Sequence, residues 1–387
     1  MKQNHNSPVA RMLETLALMI CCTTIHAQTI VQPANAPEDG AVHGMTLYFL
    51  DGSQKTFAKE DLQAVTYLPN IGMKVYQKGS DTSVDFLYSQ MSKIDYAYTN
   101  ANANWRTFSP SDYPYANRLE YPQLNSNVWP TKEGAEEKSQ IVIKQTEDYG
   151  ITFSLEWDNS KKANRWTCYT LHADNTLKVT DRNDDFKPDE DVAVSAQLAD
   201  YSNNGKDFSR GHLCPSMDRQ CSVEQNKQTF FLTNMQPQWQ KHNGGLWSNL
   251  ETLINNYATK ADATTSTCDT LYVVKAATIT DDVTINGTTT PGIYEEKCNG
   301  VLIVPKYFYM AVLHFNKATN TYKAVAFWTL HQNASDTNKN YGDFAISIDE
   351  LERRTGIDFF CNLPDEIEAA METEVDYNFW KLTKSAQ

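Results

Sequence analysis

At 387 residues the chain is too long for one small core, and length alone suggests two domains. Its 41% hydrophobic and 11% aromatic content excludes a disordered chain, and beyond the N-terminus no apolar run approaches the ~18 residues of a membrane span. A net charge of −14 argues against a protein that coats a polyanion, but less against an enzyme, which needs only one local cationic cleft.

In chain order, residues 1–27 read as an export signal. Lys2 and Arg11 supply positive charge, Leu13 to Ile25 is mostly apolar, and Ala27 is a small residue suited to cleavage. Glu14 and Ile25 depart from that pattern, and Cys21 and Cys22 raise a lipid-anchored alternative in which Met19 and Ile20 stand where small residues are required. After cleavage Cys168, Cys214, Cys221, Cys268, Cys298 and Cys361 remain, which allow ~15 pairings. No C-x2-C pair exists, so the cysteines are not read as metal ligands. Cys214 and Cys221 are read either as a bracing bridge or as two buried thiols.

Residues 28–43 read as a linker. Next comes an internal repeat at 44–98. Met45, Tyr48, Gly52, Phe57, Leu62, Val65 and Tyr67 recur as Met73, Tyr76, Gly79, Phe86, Met91, Ile94 and Tyr96. Each copy reads as strand, tight glycine turn, strand and a short closing element, giving a small β-rich domain with a docking or spacer role and an unknown partner. Residues 99–117 read as a second linker, and 118–387 as one α+β unit. Strand-like runs there are 140–144, 150–157, 166–171, 230–233, 271–274, 301–305, 307–315 and 322–328. Leu246, Trp247, Leu250, Leu253, Ile254 and Tyr257 form one helical stripe over 245–260, with further helices at 347–355 and 364–374.

The stretch from Asp207 to Glu251 concentrates reactive side chains: Arg210, His212, Asp218, Arg219, Asn234, Gln238, His242, Asn243 and Glu251. Phosphodiester hydrolysis needs a deprotonated water, a cation on the nonbridging oxygens and help for the leaving oxygen. Histidine suits the base role, and an amide oxygen suits Mg²⁺, which keeps most of its waters. Glu251, eight residues beyond Asn243, sits about two helical turns on and ~80° round, better placed for a metal-bound water than for the metal. Residues 201–250 carry five Lys/Arg against three Asp/Glu, a local reversal of the acidic whole. Asn243 also reads as a helix N-cap, His242 as a surface histidine, and Asp218 with Arg219 as a local ion pair. Asp184, Asp185, Asp189, Glu190 and Asp191 read as a solvated loop, and Lys275 carries no assigned chemistry.

The run Phe208-Ser-Arg-Gly-His-Leu-Cys-Pro-Ser-Met-Asp-Arg219 resembles the signature of the DNA/RNA non-specific endonucleases, ββα-metal nucleases related to endonuclease G. Thr233-Asn-Met-Gln-Pro-Gln238, Asn243, Gly245, Trp247, Leu250 and Glu251 come after it at that family's spacing, and flanking matches extend the resemblance over nearly all of 118–380. It implies a central antiparallel sheet flanked by helices. It also implies a secreted, Mg²⁺-dependent, sugar-non-specific endonuclease, with Mn²⁺ as a substitute, that cuts DNA and RNA to 5′-phosphate products. His212 matches the general base, Asn243 the metal ligand, Glu251 the acid holding the metal's waters, Arg210 the arginine at the scissile phosphate, and Asn234 the asparagine ordering the site. Arg182 and Arg219 join Arg210 as expected substrate contacts. Ser209 stands where most members have Asp, so slower activity is expected; the alternative is a nuclease-fold surface protein that binds rather than cuts. Oligomeric state stays open, a homodimer being one compatible assembly.

Overall fold

A computed structural model describes residues 42–385, apart from 59–60, 69–70, 81, 99–103, 105–107, 109–111, 114, 126, 130–137, 194–196, 198–200, 204–205, 260–269, 281 and 336–339. The expected export signal, the linker up to residue 41 and Cys268 lie outside the described residues. No helix among the described residues is long and apolar enough to cross a membrane.

The repeat folds as two interlocked three-stranded sheets. β1 (Val42–Phe49), β2 (Gln54–Ala58) and β3 (Leu62–Leu68) come from the first copy, and β4 (Gly72–Gln77), β5 (Ser83–Leu87) and β6 (Met91–Tyr98) from the second. The third strand of each copy pairs with the first strand of the other, giving the orders β2-β1-β6 and β3-β4-β5. Equivalent positions make equivalent contacts: Met45 lies opposite Phe57, and Met73 opposite Phe86. These four, with Leu47 and Val75, form the buried core. The closing element expected as a short piece is therefore a full strand, because one copy cannot bury its own apolar face. Gly52 and Gly79 turn the two hairpins at φ 83° and 79°, where a side chain would be strained.

The rest is built on an eight-stranded sheet. Its strands are β7 (Val128–Trp129), β8 (Ser139–Thr146), β9 (Gly150–Asp158), β10 (Ala163–Leu171), β14 (Thr270–Ala277), β19 (Tyr307–Asn316), β20 (Thr321–Leu330) and β21 (Ala345–Ile346). Their order is β21-β20-β19-β14-β10-β9-β8-β7, antiparallel except at β7–β8. Between β10 and β14 the chain forms a small sheet of β11 (Ser202–Asn203), β12 (Lys206–His212) and β13 (Met235–Trp239). Between β14 and β19 it forms two hairpins, β15 (Asp282–Ile285) with β16 (Thr288–Pro291) and β17 (Ile293–Cys298) with β18 (Leu302–Pro305).

Alternation along β14 sends Leu271, Val273 and Ala277 into one core and Val274 and Ala276 into the other. The helix Ser248–Thr259 covers the first face through Leu250, Ile254 and Ala258. Helices Ile348–Thr355 and Asp365–Glu372 cover the second, with Ser347 capping the former by accepting from the Glu350 N–H.

Parts of the stretch expected as a second linker are anchored to this body. The Asn104 side chain is buried, donates to the Ala116 and Pro122 carbonyls and accepts from the Leu124 N–H. The run 230–233, expected as a strand, instead enters a tight turn at Leu232–Asn234, and β13 begins after it. Cys214 and Cys221 are two buried thiols without a bridge.

Candidate active site

β12 and β13 pair antiparallel, opposing Phe208 to Trp239, Arg210 to Pro237 and His212 to Met235. Strand alternation puts Arg210 and His212 on one face and Ser209 and Gly211 on the other. Phe186 and Phe230 meet the His212 ring edge to face, at centroid distances of 5.7 and 5.0 Å. Each ring also seats a guanidinium: Arg210 lies 4.0 Å from the Phe186 centroid and Arg182 lies 4.9 Å from that of Phe230. Two cations and an imidazole, 30 residues apart in sequence at their extremes (182 to 212), are thus brought together by two phenyl rings.

His212 is buried, and its Nε2 has no hydrogen-bond partner. Burial pushes its pKa down to about 3, reinforced by the charges of Arg182, Lys275 and Arg210 and opposed by a hydrogen bond to the Arg210 backbone. With that bond made by the other ring nitrogen, Nε2 carries the lone pair. The ring is neutral at pH 7, the protonation state a general base requires.

Asn234 holds the chain just past His212. Its side chain accepts from the Cys214 N–H and donates to the Cys214 and Thr229 carbonyls, so its amide is engaged with backbone. Asp189, expected in a solvated acidic loop, is fully buried; it pairs with Lys144 and accepts from Thr233 beside Asn234. Ser209 donates to the Gln238 carbonyl at 2.9 Å, a strand-to-strand bond that an ionised Asp has no proton to make.

Asn243 is not a helix N-cap. It has helical backbone angles (φ −59°, ψ −52°) and opens a wide five-residue turn, Asn243–Trp247, with Gly245 non-helical at its centre. Its half-buried side chain makes no hydrogen bond among the described residues, which leaves the amide oxygen available to a cation. One helix further on, Glu251 is buried and accepts from Lys275 Nζ at 3.1 Å. Lys275 is 1% exposed and lies on β14, facing the same side as Val273 and Ala277. Burial raises the Glu251 pKa and Lys275 opposes that rise. Sequence reasoning assigned nothing to Lys275; its partner is 24 residues away on another element, and no local pattern connects them.

Two expectations fail on burial. Arg219 is fully buried, and its guanidinium donates to the carbonyls of Thr152, Asp218 and Thr170, so it is a structural tie and no substrate contact. Asp218 does not pair with it through charge: its carboxylate accepts from Tyr169 and Asn255. His242 is buried too. Gln238 donates to its Nδ1 at 2.8 Å, its Nε2 lies 3.1 Å from the Thr329 hydroxyl, and Trp247, Phe308 and His331 enclose the ring.

An amide oxygen and a carboxylate are hard oxygen donors of the kind taken by a divalent cation that keeps water, so the chemistry of Asn243 and Glu251 fits such an ion. The sequence matches the family described as DNA/RNA non-specific endonuclease over residues 132–366. It is 26% identical over 230 residues to a nuclease of Nostoc, covering 58% of this chain and 76% of that one. It is 27% identical to the mitochondrial nuclease EXOG of mouse, of which it spans only 55% while 54% of this chain is covered. Against a nuclease of Serratia marcescens the identity is 24%, covering 57% of this chain and 77% of that one. A solved structure, a crystal structure of the EndoG/EndoGI complex, aligns with TM-score 0.47 and 22% identity, over 58% of this chain and 88% of that chain.

Proposed function

This chain belongs to the DNA/RNA non-specific endonuclease family, and on that premise we propose that it is an exported nuclease that hydrolyses DNA and RNA to 5′-phosphate products with Mg²⁺ as cofactor. The observation that carries the reading is the neutral, unpartnered Nε2 of His212 between the two ring-seated guanidiniums of Arg182 and Arg210.

In this mechanism Arg210 and Arg182 hold the nonbridging oxygens of the scissile phosphate. A water attacks phosphorus as His212 Nε2 takes its proton, the bond to the 3′ oxygen breaks, and that oxygen leaves with a proton. Asn243 and Glu251 are the residues that would hold Mg²⁺, which when bound supplies charge stabilisation and an acidic water for the leaving oxygen. Asn234 keeps His212 in register and Ser209 ties its strand to the next.

Export rests on residues 1–27 and is tested by N-terminal sequencing of the mature protein. Activity is tested on plasmid DNA and on RNA with Mg²⁺, with EDTA, and with His212→Ala. A loss of about 10²–10⁴-fold in the variant is expected; pure wild-type protein that cuts neither substrate with Mg²⁺ would overturn the proposal. The buried Lys275–Glu251 pair favours a second reading, a nuclease-fold binding protein of reduced activity, because it engages the carboxylate a cation needs. Retained binding of nucleic acid without cleavage supports that reading.

A further inference from the structure

The face of the sheet opposite the helix Ser248–Thr259 carries a second group of acidic side chains. Asp349 and Glu352 stand one turn apart on the helix Ile348–Thr355, and Glu372 comes from the end of the helix Asp365–Glu372. One carboxylate oxygen from each lies within 4.8 Å of the others. Glu372 is 7% exposed, and its Oε1 has no hydrogen-bond partner. Glu368, one turn before it, is buried as well. The neighbouring arginines are committed elsewhere: Arg353 and Arg354 both pair with Glu350. Glu352 is held in place because it accepts from the Phe359 N–H at 2.8 Å.

A buried carboxylate without a partner is disfavoured by desolvation unless a proton or a cation neutralises it. We propose that Asp349, Glu352 and Glu372 form a second, structural divalent-cation site, selective for Ca²⁺, that ties the two C-terminal helices together. All the donors are hard oxygens from two independent elements, and Asp349 and Glu352 are only half-buried, so water can complete the shell. Ca²⁺ accepts such an irregular set of six to eight oxygens, whereas Mg²⁺ demands near-octahedral geometry and is usually held through only one or two carboxylates. Both helices seal the second core through Ile348, Leu351 and Met371, so the ion would lock the lid of that core, on the other side of the sheet from Asn243 and Glu251.

The test uses the full chain carrying Asn243→Ala, stripped with EDTA, so that the candidate active-site ligand is removed. Calorimetric titration with CaCl₂ is expected to give one ion per chain, and about a hundredfold excess over Kd is expected to raise Tm by about 5–10 °C. Adding Glu372→Gln is expected to abolish both effects. Should that variant fail to fold, Asp349→Asn at the half-exposed rim is expected to weaken binding at least tenfold. Absence of any calcium effect in the Asn243→Ala chain, the result that carboxyls held only by shared protons would give, overturns the proposal, as does full retention in both carboxylate variants, which would place the ion elsewhere. Because the readout is calcium binding, it is independent of whether the chain cleaves nucleic acid.

Discussion

Replacing Lys275 by Met tests whether Glu251 serves a cation. The wild-type pair is almost fully buried, with Nζ 3.1 Å from Oε1. Removing one partner of a buried ion pair typically destabilises by about 3–5 kcal/mol, because the other charge is left uncompensated. Protonation limits that loss: neutralising an ordinary glutamate at pH 7 costs about 3.7 kcal/mol, so the variant in EDTA is expected to lose about 3–4 kcal/mol. A divalent ion held by Asn243 and Glu251 restores positive charge beside the carboxylate. At about a hundredfold excess over the variant's Kd it contributes about 2.7 kcal/mol to the variant; wild type, where Lys275 competes for the carboxylate, binds the ion more weakly and gains less, so the gap narrows by that difference. Urea unfolding of both proteins at pH 7, in EDTA and in excess Mg²⁺, measures the two gaps. The variant is also expected to need less Mg²⁺ for half-maximal cleavage, since Lys275 no longer competes for the carboxylate. Equal gaps with and without Mg²⁺ would refute the reasoning and show that Glu251 is beyond the ion's reach.

The buried His242 and His331 are set up as neutral rings: Gln238 donates to one and the Trp239 N–H to the other, and burial pushes their pKa values down to about 3 and about 4. With folded pKa values below the unfolded ~6.5, their stabilising contribution is complete above pH 6.5 and falls as pH drops, by about 2 kcal/mol each at pH 5. Unfolding of His242→Gln at pH 5.5 is expected to take up about one proton fewer than wild type. The comparison is made between proteins because the raised Glu368 and Glu372 titrate in the opposite sense in both. Arg219→Met removes three hydrogen bonds to backbone carbonyls, of which Thr170 keeps its bond from Asn175, and is expected to lose about 2–3 kcal/mol, read by chemical denaturation. Arg210→Met, by contrast, is expected to unfold within about 1 kcal/mol of wild type and to lose about 10²-fold in cleavage rate. Gly211→Ala places a Cβ 2.2 Å from the Gln238 side-chain oxygen, which must move and disturb its bond to His242; a loss of about 1–3 kcal/mol in a thermal melt checks this.

Much of the candidate site was legible because its residues sit close together in the chain. Arg210, His212, Asn234, Asn243 and Glu251 span 42 positions (210 to 251), and their spacing carried the family resemblance. The stripe from Leu246 to Tyr257 fell where the helix is, though the wide turn at Asn243 was hidden because glycines at 244 and 245 read equally as a simple helix start. The two strands bearing the motif were not legible as strands. Lys206–His212 and Met235–Trp239 are polar or interrupted by proline and lack apolar alternation; they are held by each other and by packing from Phe186 and Phe208.

The sequence by itself determined the features set by local period and local spacing: the helical stripe, the doubled strand-turn-strand unit, and which side chains stand near the motif. Only the tertiary structure decided their partners. Arg219 reads as a substrate contact until the distant carbonyls of Thr152 and Thr170 claim it, Lys275 as a strand residue of no account until β14 turns it towards Glu251, and Phe186 and Phe230 as ordinary apolar residues until they seat the arginines around His212. The physical reason is the same in each case. Backbone periodicity is encoded within a few residues, whereas burial, which decides whether a charge is solvated, paired or poised, is set by elements that meet only when the sheet closes over its cores.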